Sequence, residues 1–149
     1  MARIKGSASE EIDAPIAEVW SVVQDTATAP EWQDGMDKMH VTERDSEGRP
    51  ELVETETDAT VRTVKSTVRF EYEPQTRLTW TQVKGDLKSV VGSWELEDLG
   101  GGRTKATYSL DGDPGRVLGM LIRGPVEGKI RDLLVKARPG ELKARVEDA

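Results

Sequence analysis

The chain has 149 residues, a length typical of one domain, and we expect residues 1–149 to fold as a single unit. The net charge of −7 argues against a nucleic-acid partner, because binding to phosphates requires a basic patch. The lack of cysteine excludes disulfides, thiolate chemistry and cysteine-based zinc sites, and a charged content of 33% indicates a heavily solvated surface around a lean core.

The N-terminal segment combines a strand with a short helix. Residues 3–12 alternate between two faces, the period-two pattern of a half-buried strand. Asp13 is suited to cap the following helix, and Pro15 suits a first-turn position where its missing N–H costs nothing. Four apolar residues then recur at helical spacing, which predicts a helix packed on one side. They are Ile16, Val19, Trp20 and Val23.

The middle of the chain reads as a series of strands. After a one-turn helix near Pro30, alternating segments are separated by short turn signals, of which Gly100-Gly101-Gly102 is the clearest. Successive strands joined by tight turns are antiparallel, because parallel neighbours need long crossovers. The predicted strands are a segment starting near Met39 and residues 51–58, 60–73, 76–84, 87–99 and 103–111.

The C-terminal part has a helical period that extends over residues 115–147. Pro125 and Pro139 interrupt this segment, and each follows or precedes a glycine. A proline within a helix removes a backbone hydrogen bond and clashes with the preceding turn. We therefore expect a bend or break at each proline instead of a straight rod.

Four groups of residues resemble the START-like (helix-grip, SRPBCC) superfamily, and within it the bacterial polyketide cyclase/dehydrase and coenzyme Q-binding branch. They are Ala14-Pro15 with Val19-Trp20, Pro30-Glu31-Trp32, Gly92 with Trp94-Glu95-Leu96, and Gly101-Gly102-Arg103-Thr104. The resemblance implies an α+β helix-grip fold, with a curved antiparallel sheet of about six to seven strands around a long C-terminal helix and short helices after the first strand. Members include lipid carriers, aromatase/cyclases, hormone-binding proteins and chaperone activators, so the fold does not name the function.

A curved sheet around one helix leaves a cavity lined by inward strand positions and by the inner face of the helix. The strand alternation and the helical spacing predict which side chains line it. The alternative is that they pack against one another as an ordinary core. The candidate ligand-cavity residues are Arg62, Ser66, Val68, Phe70, Tyr72, Trp80, Gln82, Trp94, Tyr108, Val126, Ile130 and Leu133.

Arg62 and Ser66 are the main polar candidates, because they lie four residues apart on one predicted strand face. That spacing corresponds to about 13 Å, enough to hold opposite ends of a flat ligand. The alternative places Arg62 in solvent at the rim of the sheet. The resemblance implies that a pocket serine and arginine on a central strand orient a polyketone in aromatase/cyclases. Ser66 fits that role, but Arg69 falls on the opposite face, so the full pattern is not reproduced.

Two further ionisable residues allow more than one interpretation. Glu10 lies on an otherwise apolar strand face. Its carboxylate either points inward as a proton acceptor or bends toward the solvent at the rim of the sheet. His40, the one histidine, is predicted to face outward by parity with its neighbours. Without a second histidine or any cysteine, we expect no metal site and no cofactor.

Three functions remain open. The first is carriage or sequestration of a hydrophobic small molecule, such as a lipid, quinone or polyketide-like compound, in the cavity. The second is a polyketide cyclase or dehydratase that works by orienting its substrate. The third is a protein-interaction module with a residual cavity. The sequence contains no catalytic signature, so we assign no catalytic residue and favour binding.

The N-terminus and the hydropathy pattern bear on location and partners. The first residues lack the apolar h-region of a signal peptide, and no apolar run approaches the ~20 residues that cross a bilayer. We therefore expect a cytoplasmic protein without a transmembrane segment. The expected partner is a hydrophobic small molecule, and a homodimer is a second expectation.

Overall fold

The computed structural model of the protein describes residues 3–59, 62–122 and 124–148. Seven strands form one antiparallel sheet in the spatial order β1-β7-β6-β5-β4-β3-β2. Strands β2 to β7 follow one another as a meander, and β1 pairs with β7. The strands are β1 (Ile4–Ile12), β2 (Met36–Arg44), β3 (Pro50–Asp58), β4 (Thr63–Glu73), β5 (Arg77–Gly85), β6 (Ser89–Gly100) and β7 (Arg103–Asp113).

Helical elements connect β1 to β2 and complete the chain after β7. The first connection consists of α1 (Ile16–Gln24) and a 3₁₀ turn (Thr26–Glu31). The C-terminal segment contains α2 (Gly115–Leu121), α3 (Pro125–Arg131), a π-helical turn (Asp132–Lys136) and α4 (Arg138–Glu147). This arrangement confirms the predicted helix-grip fold.

The C-terminal helix is interrupted at the two predicted places. The first break lies at Gly124, whose φ of 71° is left-handed and favours glycine, directly before α3 begins at Pro125. The second irregularity is the π-helical turn that precedes Pro139, which itself sits in the first turn of α4. A first-turn proline costs no hydrogen bond, so the distortion falls before it.

The start of α1 differs from the prediction that Asp13 caps it. Pro15 is the capping residue, and its carbonyl accepts hydrogen bonds from the N–H groups of Glu18 and Val19. The Asp13 N–H instead donates to Glu147 of α4 at 2.9 Å. The residue therefore helps to fasten the chain start to its last helix.

The core lies between one face of the sheet and helices α1 and α4. Val19 and Trp20 of α1 share a buried cluster with Leu142 of α4 and with Ile12 and Ala106 of the sheet. From Arg103 to Tyr108 of β7, buried residues alternate with more exposed ones, as period-two pleating requires. Burial of these apolar surfaces holds the helices on the sheet.

Gly92 in β6 makes room for the largest ring of the neighbouring strand. It pairs with Trp80 of β5, and a Cβ atom at position 92 would lie 2.3 Å from the Trp80 ring. No side chain fits at that distance. The indole therefore lies across the backbone of β6, and glycine fixes where it points.

We predict that Gly92→Ala lowers the free energy of unfolding by about 2 kcal/mol, because the Trp80 ring must leave its place against the buried core. Urea denaturation measures the change. Gly140→Ala is the control, since nothing lies within 4 Å of a Cβ at this α4 position, and alanine there stabilises or leaves stability unchanged. Equal stability of wild type and Gly92→Ala would contradict the prediction.

Candidate functional site

A cavity of about 150 Å³ lies between the inner face of the sheet and the helices. Its lining is predominantly apolar, and strands β2 to β7, the 3₁₀ turn and the C-terminal helices all contribute side chains. Apolar walls with a few polar groups are typical of small-molecule sites.

Strand β4 shows how the sequence alternation builds one wall. Val64, Ser66, Val68 and Phe70 line the cavity, while the residues between them face the other side of the sheet. The same parity brings Trp80 of β5 into the lining. This parity follows from the pleat and needs no tertiary information.

An aromatic series crosses the wall from β4 to Trp32, the residue that follows the 3₁₀ turn. The ring centroids of Phe70 and Trp80 are 6.0 Å apart, and those of Trp80 and Tyr108 are 5.5 Å apart. Tyr108 meets Trp94 edge-on at 4.7 Å, and Trp94 contacts Trp32 at 6.3 Å. Each such pair contributes about 0.5–1.5 kcal/mol beyond its buried area, so the wall is stiff.

Seven of the predicted cavity residues line this space, and we keep their role in binding as a proposal. They are Ser66, Val68, Phe70, Trp80, Trp94, Tyr108 and Ile130.

Arg62 takes the solvent-exposed position, one of the two that the sequence left open. It lies in a bend before β4, which begins at Thr63, so strand parity does not apply to it. Its side chain is 51% exposed and lies 3.8 Å from the Asp86 carboxylate. Residues 60 and 61, which the sequence assigned to the same strand, lie outside the described residues. The Arg62–Ser66 pair therefore does not bracket the cavity.

Tyr72 lies beyond the cavity, near the end of β4. Its hydroxyl donates to the carbonyl of Pro50 and contacts the Thr26 hydroxyl at 3.1 Å. The Arg49 guanidinium covers its ring at 4.6 Å from the centroid. These contacts hold Tyr72 at the sheet end, although its parity matches that of the lining residues.

Gln82 does not line the cavity, but it contacts the lining residue Ser66. Its Oε1 accepts a hydrogen bond from the Ser66 hydroxyl at 2.8 Å, and its Nε2 donates to the Leu87 carbonyl at 2.9 Å. Gln82 thus links the wall to the β5–β6 turn and also engages the Ser66 hydroxyl. The Ser66 hydroxyl and the Gln82 amide are therefore already hydrogen-bonded within the protein.

The inner face of the C-terminal helix also differs in detail. Val126 packs in a separate cluster with Ile4, Ile122 and Ile130, under the edge of the sheet. Leu133 is not among the residues that line the cavity, whereas the helical spacing that predicts an inner face at Ile130 also includes Leu134, which does line it. A π-helical turn occupies Asp132–Lys136 in this part of the helix.

Arg138 is a cavity residue that the sequence analysis missed. Its side chain is 2% exposed, although arginine is rarely buried without partners. A signal was available: position 138 lies four residues after Leu134 and four before Leu142, on the apolar stripe of the helix. A charged residue on that stripe indicates a buried ion pair or a site.

Arg138 and Glu141 together grip the backbone at Asp34. An Arg138 terminal nitrogen donates to the Asp34 carbonyl at 2.7 Å and to the Glu141 carboxylate at 2.8 Å. The other Glu141 oxygen accepts the Asp34 N–H at 2.8 Å. This Asp34 clamp, formed by Arg138 and Glu141, fastens the loop between the 3₁₀ turn and β2 to α4.

Both tyrosines of the chain sit where ionisation is disfavoured. Burial raises the pKa of Tyr72 to about 12, while a hydrogen bond from Thr26 acts in the opposite direction. Burial also raises the pKa of Tyr108, and the neighbouring Arg138 guanidinium opposes that rise. Tyr108 is therefore a neutral hydroxyl on the cavity wall at neutral pH.

The remaining ionisable candidates lie outside the cavity. Glu10 is exposed, so it takes the rim position of the two that the sequence left open. His40 is exposed on β2, as expected. Within the described residues, no three histidine, aspartate or glutamate side chains come together as a metal site would require. The helices of the same residues are all too short or too polar to span a bilayer.

The chain is similar to a known protein family and to several solved structures. Residues 3–147 match the family described as polyketide cyclase/dehydrase and lipid transport. Comparison with curated proteins gave no match.

Three solved structures illustrate the similarity. A START superfamily protein from Mycobacterium smegmatis has a TM-score of 0.82 at 19% identity, with 97% of each chain covered. A protein from Thermus thermophilus has a TM-score of 0.82 at 18% identity, again with 97% of each chain covered. The Zhui aromatase/cyclase from a Streptomyces species has a TM-score of 0.74 at 17% identity, covering 97% of this chain and 94% of that one. These identities establish a shared fold.

We predict that Arg138→Met lowers the free energy of unfolding by about 3 kcal/mol, because it leaves Glu141 and the Asp34 carbonyl without their buried partner. Chemical denaturation measures the loss. Arg145→Met is the matched control in the same helix: Arg145 pairs with Glu31 at 2.9 Å, but both side chains are well exposed, so the loss stays below about 1 kcal/mol. Equal losses in the two variants would refute a special role of the Asp34 clamp.

We predict that stability falls as pH rises from 10 to 12. Unfolded tyrosine ionises near pH 10, whereas folded Tyr72 keeps its proton up to about 12. Above pH 10 the unfolded state therefore binds fewer protons than the folded state, and stability decreases with pH. Unfolding free energy measured across this range gives the slope, and phenolate absorbance follows the tyrosines directly. The slope becomes shallower in Tyr72→Phe; an unchanged slope would assign the effect elsewhere.

Proposed function

The chain belongs to the polyketide cyclase/dehydrase and lipid-transport family, and from this premise we propose that it binds a hydrophobic small molecule in the cavity between sheet and helices. The observation that carries the proposal is the cavity of about 150 Å³ with its largely apolar, aromatic lining. An apolar cavity of this volume stays dry and accepts a benzene-sized molecule. Burial of the ligand's apolar surface then drives binding.

The cavity volume favours a ring compound over a long chain. A whole lipid or extended polyketide exceeds about 150 Å³ and requires side chains to move before it enters. A single ring, or the ring portion of a quinone-like or polyketide-like compound, fits with less rearrangement. The stiff aromatic wall supports this choice, because close-packed rings resist expansion.

A second candidate function is a cyclase or dehydratase that acts by substrate orientation. The observation that favours it is the placement of Tyr108 and Arg138, a neutral hydroxyl and a guanidinium, next to each other in the lining of a largely apolar cavity. Such groups can hold the oxygens of a reactive chain in one folded geometry. With a poly-β-ketone substrate, Tyr108→Phe then changes the product distribution. An unchanged distribution leaves binding alone as the function.

We predict that ethylbenzene binds to the protein and that Val90→Phe reduces its affinity at least tenfold. Val90 lines the cavity, so an added ring occupies the space of the ligand. Val91→Phe is the matched control, because the adjacent side chain is 50% exposed on the other face of β6. Isothermal titration calorimetry measures both affinities, and a ligand-dependent rise in melting temperature provides a second readout.

Two results would contradict this prediction. The first is the absence of ethylbenzene binding to the wild type, which shows that the cavity does not accept an apolar ring. The second is equal loss of affinity in Val90→Phe and Val91→Phe, which places the binding site elsewhere. Native mass spectrometry of gently purified protein adds the identity of any molecule that accompanies it.

A further inference from the structure

Building on the proposed function, we propose that the end of the cavity formed by Trp32 and Arg138 is a subsite for a neutral hydrogen-bond acceptor. The ligand is then an apolar ring compound that carries a carbonyl oxygen, as ketones and quinones do. Its ring lies against the aromatic wall, and its oxygen accepts from the two side chains.

Two unpaired donors carry this inference. In the described part of the chain, Trp32 Nε1 and Arg138 Nε are buried nitrogens without a hydrogen-bond partner, and both residues line the cavity. A buried donor that lacks a partner costs about 1–3 kcal/mol, so native proteins rarely retain one without a reason. A ligand oxygen placed between these groups removes that cost.

The two donors belong to one end of the cavity. Trp32 stands two residues before Asp34, whose carbonyl accepts from Arg138 at 2.7 Å. Trp94 contacts both the Trp32 ring, at 6.3 Å, and the Tyr108 ring, at 4.7 Å. Tyr108 in turn neighbours the Arg138 guanidinium. These contacts connect Trp32, Trp94, Tyr108 and Arg138 at the same end of the cavity.

The charge balance favours a neutral acceptor over an anion. The Arg138 guanidinium already contacts the Glu141 carboxylate at 2.8 Å, so its positive charge is compensated. A ligand carboxylate would add a second negative charge in a largely apolar cavity, where an unpaired charge is costly. A carbonyl oxygen accepts both hydrogen bonds and adds no net charge. Tyr108, neutral because burial raises its pKa, supplies a further hydroxyl.

A third unpaired nitrogen serves as a comparison. Among the described residues, Arg131 Nε is also buried without a partner, but its side chain lies over the backbone of Gly6 in β1 and does not contribute to the cavity lining. An unpaired nitrogen alone is therefore not the criterion. The criterion is two unpaired donors on residues that line one largely apolar cavity.

The test compares three single-ring probes that differ only in their polar group: ethylbenzene, acetophenone and benzoate. We expect acetophenone to bind about fivefold more tightly than ethylbenzene, the gain from a net hydrogen bond, and benzoate to bind more weakly than acetophenone. Calorimetry gives the affinities. Nitrogen-15 NMR of the four tryptophan indoles shows the contact directly, because acetophenone shifts the Trp32 N–H resonance downfield and ethylbenzene does not.

Two variants locate the subsite. Trp32→Phe keeps a ring against Trp94 but removes the N–H, so the preference for acetophenone over ethylbenzene falls to about twofold or less while ethylbenzene affinity is retained. Arg138→Lys keeps the charge beside Glu141 but removes the Nε–H, and it reduces the same preference. In Glu141→Gln the Arg138 charge is no longer compensated, so benzoate affinity rises relative to acetophenone.

The outcomes separate this proposal from the proposed function. Equal affinities for ethylbenzene and acetophenone overturn the acceptor subsite and leave apolar binding in place. Tighter binding of benzoate than of acetophenone overturns the neutral choice. Binding of none of the probes overturns both proposals. A preference for acetophenone that survives in both Trp32→Phe and Arg138→Lys shows that other groups hold the oxygen.

Discussion

The structure depends on the Asp34 clamp, the buried ion pair of Arg138 and Glu141 that grips both backbone groups of one residue. It joins α4 to the loop between the 3₁₀ turn and β2, so the last helix and the first connection move as one. The cost of burying the charges is offset because carbonyl, N–H and carboxylate are all paired. The same arginine places a charged group at one end of a largely apolar cavity. One interaction thus fastens α4 to the loop before β2 and makes one end of the cavity polar.

The cavity stays unfilled because contacts among the aromatic side chains of its wall hold them in place. Trp80 lies across Gly92, and its ring is followed by Tyr108, Trp94 and Trp32 in a series of tilted and edge-on contacts. Flat rings in such contacts keep their orientation, since rotation of one requires displacement of the next. On the opposite side the helix is interrupted by a π-helical turn, which changes the face that it presents. Sheet and helix consequently meet around an unfilled space.

Chemically the site is asymmetric. The Ser66 hydroxyl donates to Gln82, and Gln82 donates to the Leu87 carbonyl, so this polar pair is self-contained. Trp32 and Arg138 retain unpaired donors within the described structure. A ligand gains most where the protein's own hydrogen bonds are incomplete. This difference, and not the number of polar residues, points to one end of the cavity as the place of recognition.

The sequence by itself determined the strands, the inward parity of β4 and the helical period of the C-terminus, because each depends on spacings of two or about 3.6 residues that are local. It placed Phe70 and Trp80 on the wall for the same reason. Tertiary structure decided the rest. Arg62 lies outside the cavity because it precedes β4, which begins at Thr63, Tyr72 is held by Pro50 and Thr26, and of the neighbours Leu133 and Leu134 only Leu134 lines the cavity. Arg138 became the central polar group through contacts with Asp34, more than a hundred residues away along the chain, and such contacts leave no local period in a sequence.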